Sequence, residues 1–432
     1  MKKIFLLFIF FVATTLSCSS KEIFKVYLDE AIEVAIKNNI DLQAAQIDIN
    51  IAKNEISAAN RLQNPSIDTY YFMGRAGNSE PKQIGLTQNI EIAKRNARKK
   101  LAESQMSLVK KNVEYTTFDL KMDVREAYIN LVAIKSVLNT LEQQQELQEE
   151  LYELAKNRAQ KKETPIIDVL QAEIALNQII TQVNTARANV KVAQNAFNKI
   201  INADVNVIYD SKDNLFAEEN NFQEMLTPDP TTKFPDISDI IPKVLKKRYD
   251  IQIAKQEIDI AQKNLAVVSR QRIPDFTISG GYAYQNEKYS NSGHFANGAY
   301  AGASLINIPL FYSYYPEIQK ATSQVTQAEL KYKSAKNKAI KDISAAYEQF
   351  LTAANNLNHY ESKIIVSSEK LIDLSKNSYE KGETDITALI VMKQSYKSII
   401  VGYTYALTDY YNSWTNFLRE INDESFVLAE LL

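Results

Sequence analysis

The sequence predicts a mainly α-helical protein with a β-barrel portion, and three features of the chain support this fold class. Eight of the ten glycines fall in two windows, 65–92 and 274–310, and the rest of the chain is nearly free of helix breakers. Apolar and polar residues alternate inside these windows, whereas the stretches between them keep helical spacing. The segment Asp41–Pro65 also aligns without gaps to Asp250–Pro274, with about a third of positions identical. We therefore expect two tandem copies of one unit.

The composition excludes several functional classes. Fifty basic against fifty-two acidic residues argue against nucleic acid as a partner, because phosphate binding needs a concentrated basic surface. His294, His359 and Cys18 are the only histidines and cysteine, too few for a usual zinc site or a disulfide framework. The sequence contains no GxSxG, HExxH or Walker-type motif. We therefore expect neither an enzyme nor a bound cofactor.

The N-terminus reads as an export signal. Residues 1–17 carry Lys2 and Lys3, then an apolar run from Ile4 to Ala13, then small polar residues. Cys18 follows in Thr-Leu-Ser-Cys, which resembles a bacterial lipoprotein box with Thr15 where Leu is usual. We expect Cys18 to be the lipidated first mature residue; the alternative is ordinary cleavage nearby, with Cys18 discarded.

The breaker-free stretches predict helices of two lengths. Each copy has one helix of roughly 65 residues, ~100 Å long, and two of roughly 35 residues, ~50 Å each, which together match the long one. Their narrow apolar stripes favour antiparallel coiled-coil packing. The predicted helices are 28–62, 95–161 and 166–200 in the first copy and 238–272, 317–380 and 385–419 in the second. The predicted domain order is a first repeat at 18–203, a linker at 204–236, a second repeat at 237–419 and a tail at 420–432.

The two glycine-bearing windows predict four strands of about ten residues, a length that crosses a bilayer when tilted in a barrel. The strands are expected at 66–73, 83–92, 275–284 and 297–308. Alternation gives each strand an apolar and a polar face. Six apolar residues are predicted to face lipid: Ile84, Leu86, Ile90, Phe276, Ile278 and Tyr282.

Four strands cannot close a barrel, because the sheet would expose two edges with unpaired backbone groups to lipid. Several chains must therefore contribute, and three copies would give twelve strands, an even number within the known range. No later stretch reaches the ~18 continuous apolar residues of a membrane helix, so any membrane entry would be as a barrel.

These features resemble the TolC-like outer membrane efflux protein family, the outer membrane factors of tripartite efflux systems. The resemblance rests on LDEAIEVAIKNNIDLQAAQIDINIAKNEISAANRLQNPSI, on IGLTQNIEIAKRNARKKLAES and on a duplicated half whose strands end in NIPLF. It implies a homotrimer with one outer-membrane barrel continuous with a helical tunnel in the periplasm. It also implies a passive conduit for small solutes, docked on a periplasmic adaptor (membrane fusion) protein and an inner-membrane pump.

Two alternatives to a general solute channel remain open. TQNIEIAKRNAR resembles the heavy-metal cation-efflux branch, since Glu91, Lys94, Arg95 and Arg98 match its pattern, but Ala93 replaces its glycine. This pattern would suit a channel for a metal-ion pump. A different class is a non-channel coiled-coil structural protein of the periplasm or cell surface, which the alternating strands and export signal disfavour.

The helix-helix turns are the expected adaptor contacts, and Asp168 is the expected constriction at the periplasmic end. The turn residues are Lys161, Lys162, Glu163, Thr164 and Pro165 in one copy and Lys381, Gly382, Glu383, Thr384 and Asp385 in the other. By resemblance, Asp168 stands where family members carry a tunnel-facing residue, while its counterpart Ala388 is apolar. Three Asp168 carboxylates would then bind cations. The alternative is that Asp168 only stabilises the start of its helix.

Overall fold

The computed structural model describes residues 22–71, 82–162, 165–213, 215, 228–231, 234–284, 298–381, 384, 386–424 and 426. The helices are α1 (Leu28–Asn38), α2 (Ile40–Ala59), α3 (Lys94–Gln160), α4 (Ile166–Ile200), α5 (Ile237–Val244), α6 (Tyr249–Ser269), α7 (Tyr315–His359), α8 (Val366–Glu380) and α9 (Ile386–Ile421). The strands are β1 (Glu22–Val26), β2 (Ser66–Tyr71), β3 (Lys82–Ile90), β4 (Val207–Ser211), β5 (Asp275–Tyr284) and β6 (Gly298–Ile306). Among the described residues, no helix is both long and apolar enough to cross a membrane.

The helices begin and end close to the predicted positions, with two interruptions that the periodicity did not show. The stretch predicted at 28–62 is divided at Asn39, whose side chain caps α2 by accepting a 2.8 Å hydrogen bond from the Leu42 amide. The stretch predicted at 238–272 is divided between α5 and α6, just after Pro242. Between α7 and α8, residues 360–365 form a π-helical segment that keeps the chain helical.

Four strands form one antiparallel sheet in the order β2-β3-β5-β6. The two strands of each glycine-bearing window are hydrogen-bonded neighbours, and pairing of β3 with β5 joins the two windows. In the register, Ile84 lies opposite Tyr282 and Ile90 lies opposite Phe276. The central strands β3 and β5 therefore come from opposite halves of the sequence.

A second sheet was missed by the sequence analysis. It pairs β1 with β4 in parallel, with Glu22 opposite Val207. The β4 strand lies inside the segment predicted to be a linker. Each strand has only five residues and lacks a clear apolar alternation, so sequence periodicity gave no signal.

The chain divides into two compact units, each built from separated segments. Unit 1 contains residues 1–38, 123–225 and 367–405, and unit 2 contains 39–122, 226–366 and 406–432. Each unit takes residues from both predicted repeats, so the repeat boundaries stay predictions.

The β1–β4 pair in unit 1 is anchored by α3. The buried Tyr128 hydroxyl lies 3.0 Å from the Val26 carbonyl oxygen and 2.6 Å from the Asp213 carboxylate. The Lys135 ammonium donates to the Ser211 carbonyl at 2.8 Å and contacts Asp210 at 3.1 Å. These side chains give the short sheet the partners that two five-residue strands cannot supply alone.

Two clusters of small and aliphatic side chains form further parts of the core of unit 1. One cluster joins α3, α4 and α9 close to the helix turns: Leu151, Ala155, Val169, Ala172, Ala175, Leu389 and Ile390. A second cluster contains Val137, Leu141, Ile179, Val183 and Ala186. The many alanines allow close helix-helix approach along these narrow apolar stripes.

The core of unit 2 is aromatic. Phe350 of α7 is fully buried, with ring centroids 4.9 Å from Trp414 and 5.4 Å from Tyr410 of α9. The Tyr410 hydroxyl donates a hydrogen bond to the Pro228 carbonyl oxygen. Large rings bury much apolar area, and hydroxyls at their edges satisfy nearby loop carbonyls.

Candidate functional site

The apolar face of the four-stranded sheet is exposed in the chain. All six residues predicted to face lipid lie on this face, because directly paired residues of antiparallel strands share a face. Ile84, Leu86, Ile278 and Tyr282 are 48% to 58% exposed, while Ile90 and Phe276 are half-buried. Ile67 on β2 and Leu305 on β6 belong to the same face by register and are also exposed. The sequence analysis did not name these two; Ile67 alternates with polar neighbours, whereas Leu305 is followed by the apolar Ile306.

The opposite face of the sheet is polar. Thr277 donates a 2.9 Å hydrogen bond to Asn89, and Thr87 donates to the Asp68 carboxylate. Thr277 is buried, although its strand neighbours Phe276 and Ile278 are not. On this face polar side chains therefore bond to one another, whereas large apolar side chains are exposed on the other face.

Tyr300 covers two glycines on the polar face. Gly85, Gly281 and Tyr300 occupy one row across β3, β5 and β6. A Cβ at Gly281 would lie 2.3 Å from the Ile84 carbonyl oxygen and 2.8 Å from the Tyr300 hydroxyl. At Gly85, a Cβ would overlap that hydroxyl. The paired glycines thus make room for a ring that crosses β5 to reach β3.

A buried ion pair connects the sheet to α3. The Lys94 ammonium lies 2.7 Å from Asp275 Oδ2, and the two side chains are 7% and 6% exposed. Asn307 donates a second hydrogen bond to the same oxygen at 2.9 Å. Asp275 Oδ1 has no partner among the described residues. Because a buried charge without a partner is strongly destabilising, each of these two side chains needs the other to remain charged and buried.

The other charged residues of the cation-efflux-like pattern make local contacts at the same junction. Arg98 forms a bidentate pair with Glu91, with one contact at 2.6 Å. The Arg98 hydrogen bond holds the pKa of the Glu91 carboxyl below its usual range, although partial burial opposes this shift. Arg95 donates to the Asn60 carbonyl at 2.6 Å. Lys94, Arg98 and Glu91 thus join the sheet to α3, and Arg95 joins α3 to the end of α2. None of these contacts requires a metal ion.

The helix turns are exposed where the structure describes them. Lys161, Lys162, Pro165, Lys381 and Thr384 are all exposed. Lys162 takes a left-handed backbone conformation, with φ of 61°, as the chain leaves α3. Five predicted adaptor-contact residues lie outside the described residues: Glu163, Thr164, Gly382, Glu383 and Asp385. Cys18 also lies outside them.

Asp168 lies in the first turn of α4 and is half-buried. Its amide donates a 3.1 Å hydrogen bond to the Pro165 carbonyl, and Pro165 is the N-cap. The Asp168 carboxylate forms no hydrogen bond or ion pair with any other described residue. Its neighbour Val169 belongs to the buried cluster that includes Leu389 of α9. Packing of Val169 thus fixes the backbone that carries Asp168.

Among the described residues, no group of three or more His, Cys, Asp or Glu side chains has the proximity needed to hold a metal ion.

Comparison with known proteins identifies the family. The model of the family "Outer membrane efflux protein" matches residues 31–203 and 240–398. Toxin and drug export protein A of Aggregatibacter actinomycetemcomitans is 20% identical over 405 residues, covering 86% of this chain and 82% of that protein. Outer membrane protein TolC of Vibrio cholerae is 24% identical over 162 residues, a match that spans 35% of each chain.

The likeness extends to solved structures. The outer membrane channel CmeC of Campylobacter jejuni superposes with a TM-score of 0.71 at 17% identity, over 93% of this chain and 88% of that chain. The likeness confirms the predicted fold class, mainly helical with a β-barrel portion. The family is one of channels and not of enzymes. The chain therefore belongs to the outer membrane efflux protein family and is located in the bacterial outer membrane, extending into the periplasm.

Proposed function

We propose that this protein is the outer-membrane conduit of a tripartite efflux system, through which small solutes pass passively from a periplasmic adaptor and an inner-membrane pump to the outside. The observation that carries the proposal is the two-faced sheet. Large apolar side chains are exposed on one face, and polar side chains bond to one another on the opposite face. This distribution suits a strand wall between lipid and an aqueous lumen.

The proposal includes a homotrimer. In one chain, β2 and β6 each have a sheet neighbour on one side, so both have a backbone edge to pair. Joining β6 of one chain to β2 of the next would satisfy these edges, and three chains would give twelve strands. The apolar face of the sheet would then contact outer-membrane lipid. This face carries the six residues named above together with Ile67 and Leu305.

Electrophoresis and conductance test the conduit directly. We expect the purified protein to migrate as a heat-resistant trimer in detergent and to conduct ions in a planar bilayer. A folded monomer or dimer without conductance would overturn the proposal and favour a coiled-coil structural protein.

The charged residues of the cation-efflux-like pattern do not favour metal ions over other cargo. Folding alone explains the contacts of Glu91, Lys94, Arg95 and Arg98.

We propose that three Asp168 carboxylates form the periplasmic constriction. Support comes from the position of Asp168 beside the turn. Its carboxylate also forms no ion pair with any other described residue. We expect Asp168→Asn to reduce block of the channel by multivalent cations, because three like charges attract cations. The control is Asp239→Asn, which removes a carboxylate from the first turn of another helix, α5, and should leave the block unchanged. Unchanged block in Asp168→Asn would leave Asp168 as a helix-start residue.

We propose that the exposed turn residues contact the adaptor and that Cys18 carries lipid. Reversing charge with Lys162→Glu and Lys381→Glu should weaken adaptor cross-linking, while the exposed Lys191→Glu on α4 should not. For Cys18, intact-mass measurement is decisive. A mature chain that starts after residue 18, or starts at Cys18 without added lipid mass, would reject lipidation.

A further inference from the structure

A groove of about 580 Å³ lies in unit 1 between α3, α4 and α9. Its apolar base includes Val137, Leu141 and Ile179 of the second cluster described above. Its walls are polar: glutamines line the α3 and α4 sides, and Lys393 and Lys397 line the α9 side. Among the described residues that line it, none carries a carboxylate.

Two lysines one helical turn apart give this groove positive charge. Lys393 and Lys397 are four residues apart on α9, so their side chains share one face. Among the described residues, neither forms a salt bridge, and Lys397 donates its hydrogen bond to the neutral Gln182 amide oxygen. No described residue of the groove lining therefore balances these charges; Glu150, which favours the charged form of Lys393, lies outside the lining.

The opposite wall holds an unsatisfied donor. Gln148 of α3 lines the groove and is 8% exposed, and its Nε2 has no hydrogen-bond partner among the described residues. Buried amide donors are normally paired, because an unpaired one has lost its contacts with water. Because this nitrogen has almost no accessible surface, it would meet an acceptor in the groove only after a rotation of the Gln148 side chain.

We propose that this groove binds an oxyanion of the phosphate class, held between Lys393 and Lys397 on one side and the Gln148 amide on the other. Ammonium and amide donors are the groups that bind such oxygens. The anion could be free phosphate or the phosphate group of a larger solute. This site does not depend on the conduit function proposed above.

The protonation behaviour of the lysines is consistent with such a site. Burial lowers the pKa of both amines, and Lys376 on α8 adds repulsion at Lys393, which Glu150 on α3 opposes. A bound anion would favour the charged amines and counter these effects.

Calorimetric titration of the full-length protein in detergent tests the proposal, with inorganic phosphate and glycerol phosphate as separate probes at constant ionic strength. We expect saturable binding of one anion per chain. The double variant Lys393→Gln/Lys397→Gln should bind at least about tenfold more weakly, because it loses both charge-assisted hydrogen bonds. Gln148→Leu should weaken binding less. The exposed Lys370→Gln on α8 removes the same charge outside the groove and should bind like the wild type.

Controls separate loss of the site from loss of the fold. Each variant should form the same trimer and show the same helical content without phosphate. A wild-type protein that binds neither probe would overturn the proposal, as would equal binding by the double variant. Failure to bind, combined with trimers weakened by the lysine changes, would indicate instead that an acidic side chain of a second copy fills the groove.

Discussion

The four-stranded sheet and the aromatic core of unit 2 distribute apolar side chains in opposite ways. In the core, Phe350, Tyr410 and Trp414 are almost completely buried against one another. On the sheet, Leu86 and Ile278 are about half exposed, while the neighbouring Thr277 is buried and hydrogen-bonded. The core follows the pattern of a protein in water, and the sheet has the reverse pattern.

The difference is the one expected of a chain that folds against two solvents, water and lipid. In water, burying large rings releases ordered hydration and supplies the main driving force for folding. In lipid, apolar side chains need no burial, and the polar groups must find partners within the protein. The following predictions test this contrast, from the largest expected effect to the smallest.

Truncating Phe350 should cost much more stability than truncating Ile278. Phe350→Ala leaves a cavity among packed rings and should lower the free energy of unfolding by about 3–5 kcal/mol. Ile278→Ala should cost about 1–2 kcal/mol, because it removes contact with solvent lipid and leaves no cavity. Denaturant unfolding of the trimer reconstituted in lipid measures both. Equal losses would mean that the exposed face of the sheet is packed against protein.

Breaking the buried ion pair should cost about as much as breaking the aromatic core. Lys94→Met leaves the Asp275 carboxylate buried without its cation, and we expect a loss of about 3–5 kcal/mol. The exposed pair Lys99–Glu103 is the control, since Lys99→Met should cost less than about 1 kcal/mol. The same unfolding assay applies. A small effect of Lys94→Met would place the pair in contact with water.

Adjacent residues on β6 should respond differently to charge. Leu305 belongs to the apolar face, and Ser304 belongs to the polar face. Leu305→Arg should cost about 2–4 kcal/mol near the bilayer mid-plane and reduce the yield of assembled trimer, as should Leu86→Arg. Ser304→Arg should assemble normally. The opposite outcome would show that the two faces are reversed.

The glycines of the sheet should differ in their tolerance of a methyl group. At Gly281 an added Cβ would meet backbone atoms at 2.3 Å and 2.6 Å, whereas at Gly298 it would meet nothing within 4 Å. Gly281→Ala should destabilise by about 1–3 kcal/mol, and Gly298→Ala should be nearly neutral. Heat resistance of the trimer on gels compares them. A neutral Gly281→Ala would show that β3 and β5 can separate locally.

Acid should weaken the junction through Glu91. Because Arg98 lowers the pKa of Glu91 in the folded state, the pair stabilises the protein above the unfolded value near 4.5. That contribution, about 1 kcal/mol or less, is lost as pH falls through the folded pKa. Melting temperatures between pH 7 and pH 3 should therefore fall less for Glu91→Gln than for wild type. Glu103→Gln should behave like wild type.

Local spacing in the sequence was enough to predict much of this fold. The strand segments and their two faces follow from alternation with a period of two, and the long helices follow from the absence of breakers. The six predicted apolar residues therefore share one face of the sheet. The position of Asp168 at a helix start could be predicted for the same reason, because Pro165 and the turn mark where α4 begins.

Contacts between distant residues could not be predicted in this way. Lys94 and Asp275 are 181 residues apart, and no local sequence pattern around either residue indicates that the two form a pair. The pairing of β1 with β4 likewise depends on Tyr128 and Lys135 of α3. The sequence thus determined which faces are apolar, because that depends on neighbours along the chain. Only the tertiary structure decided which charges pair and which donors line the groove, because those contacts depend on how the helices and strands pack.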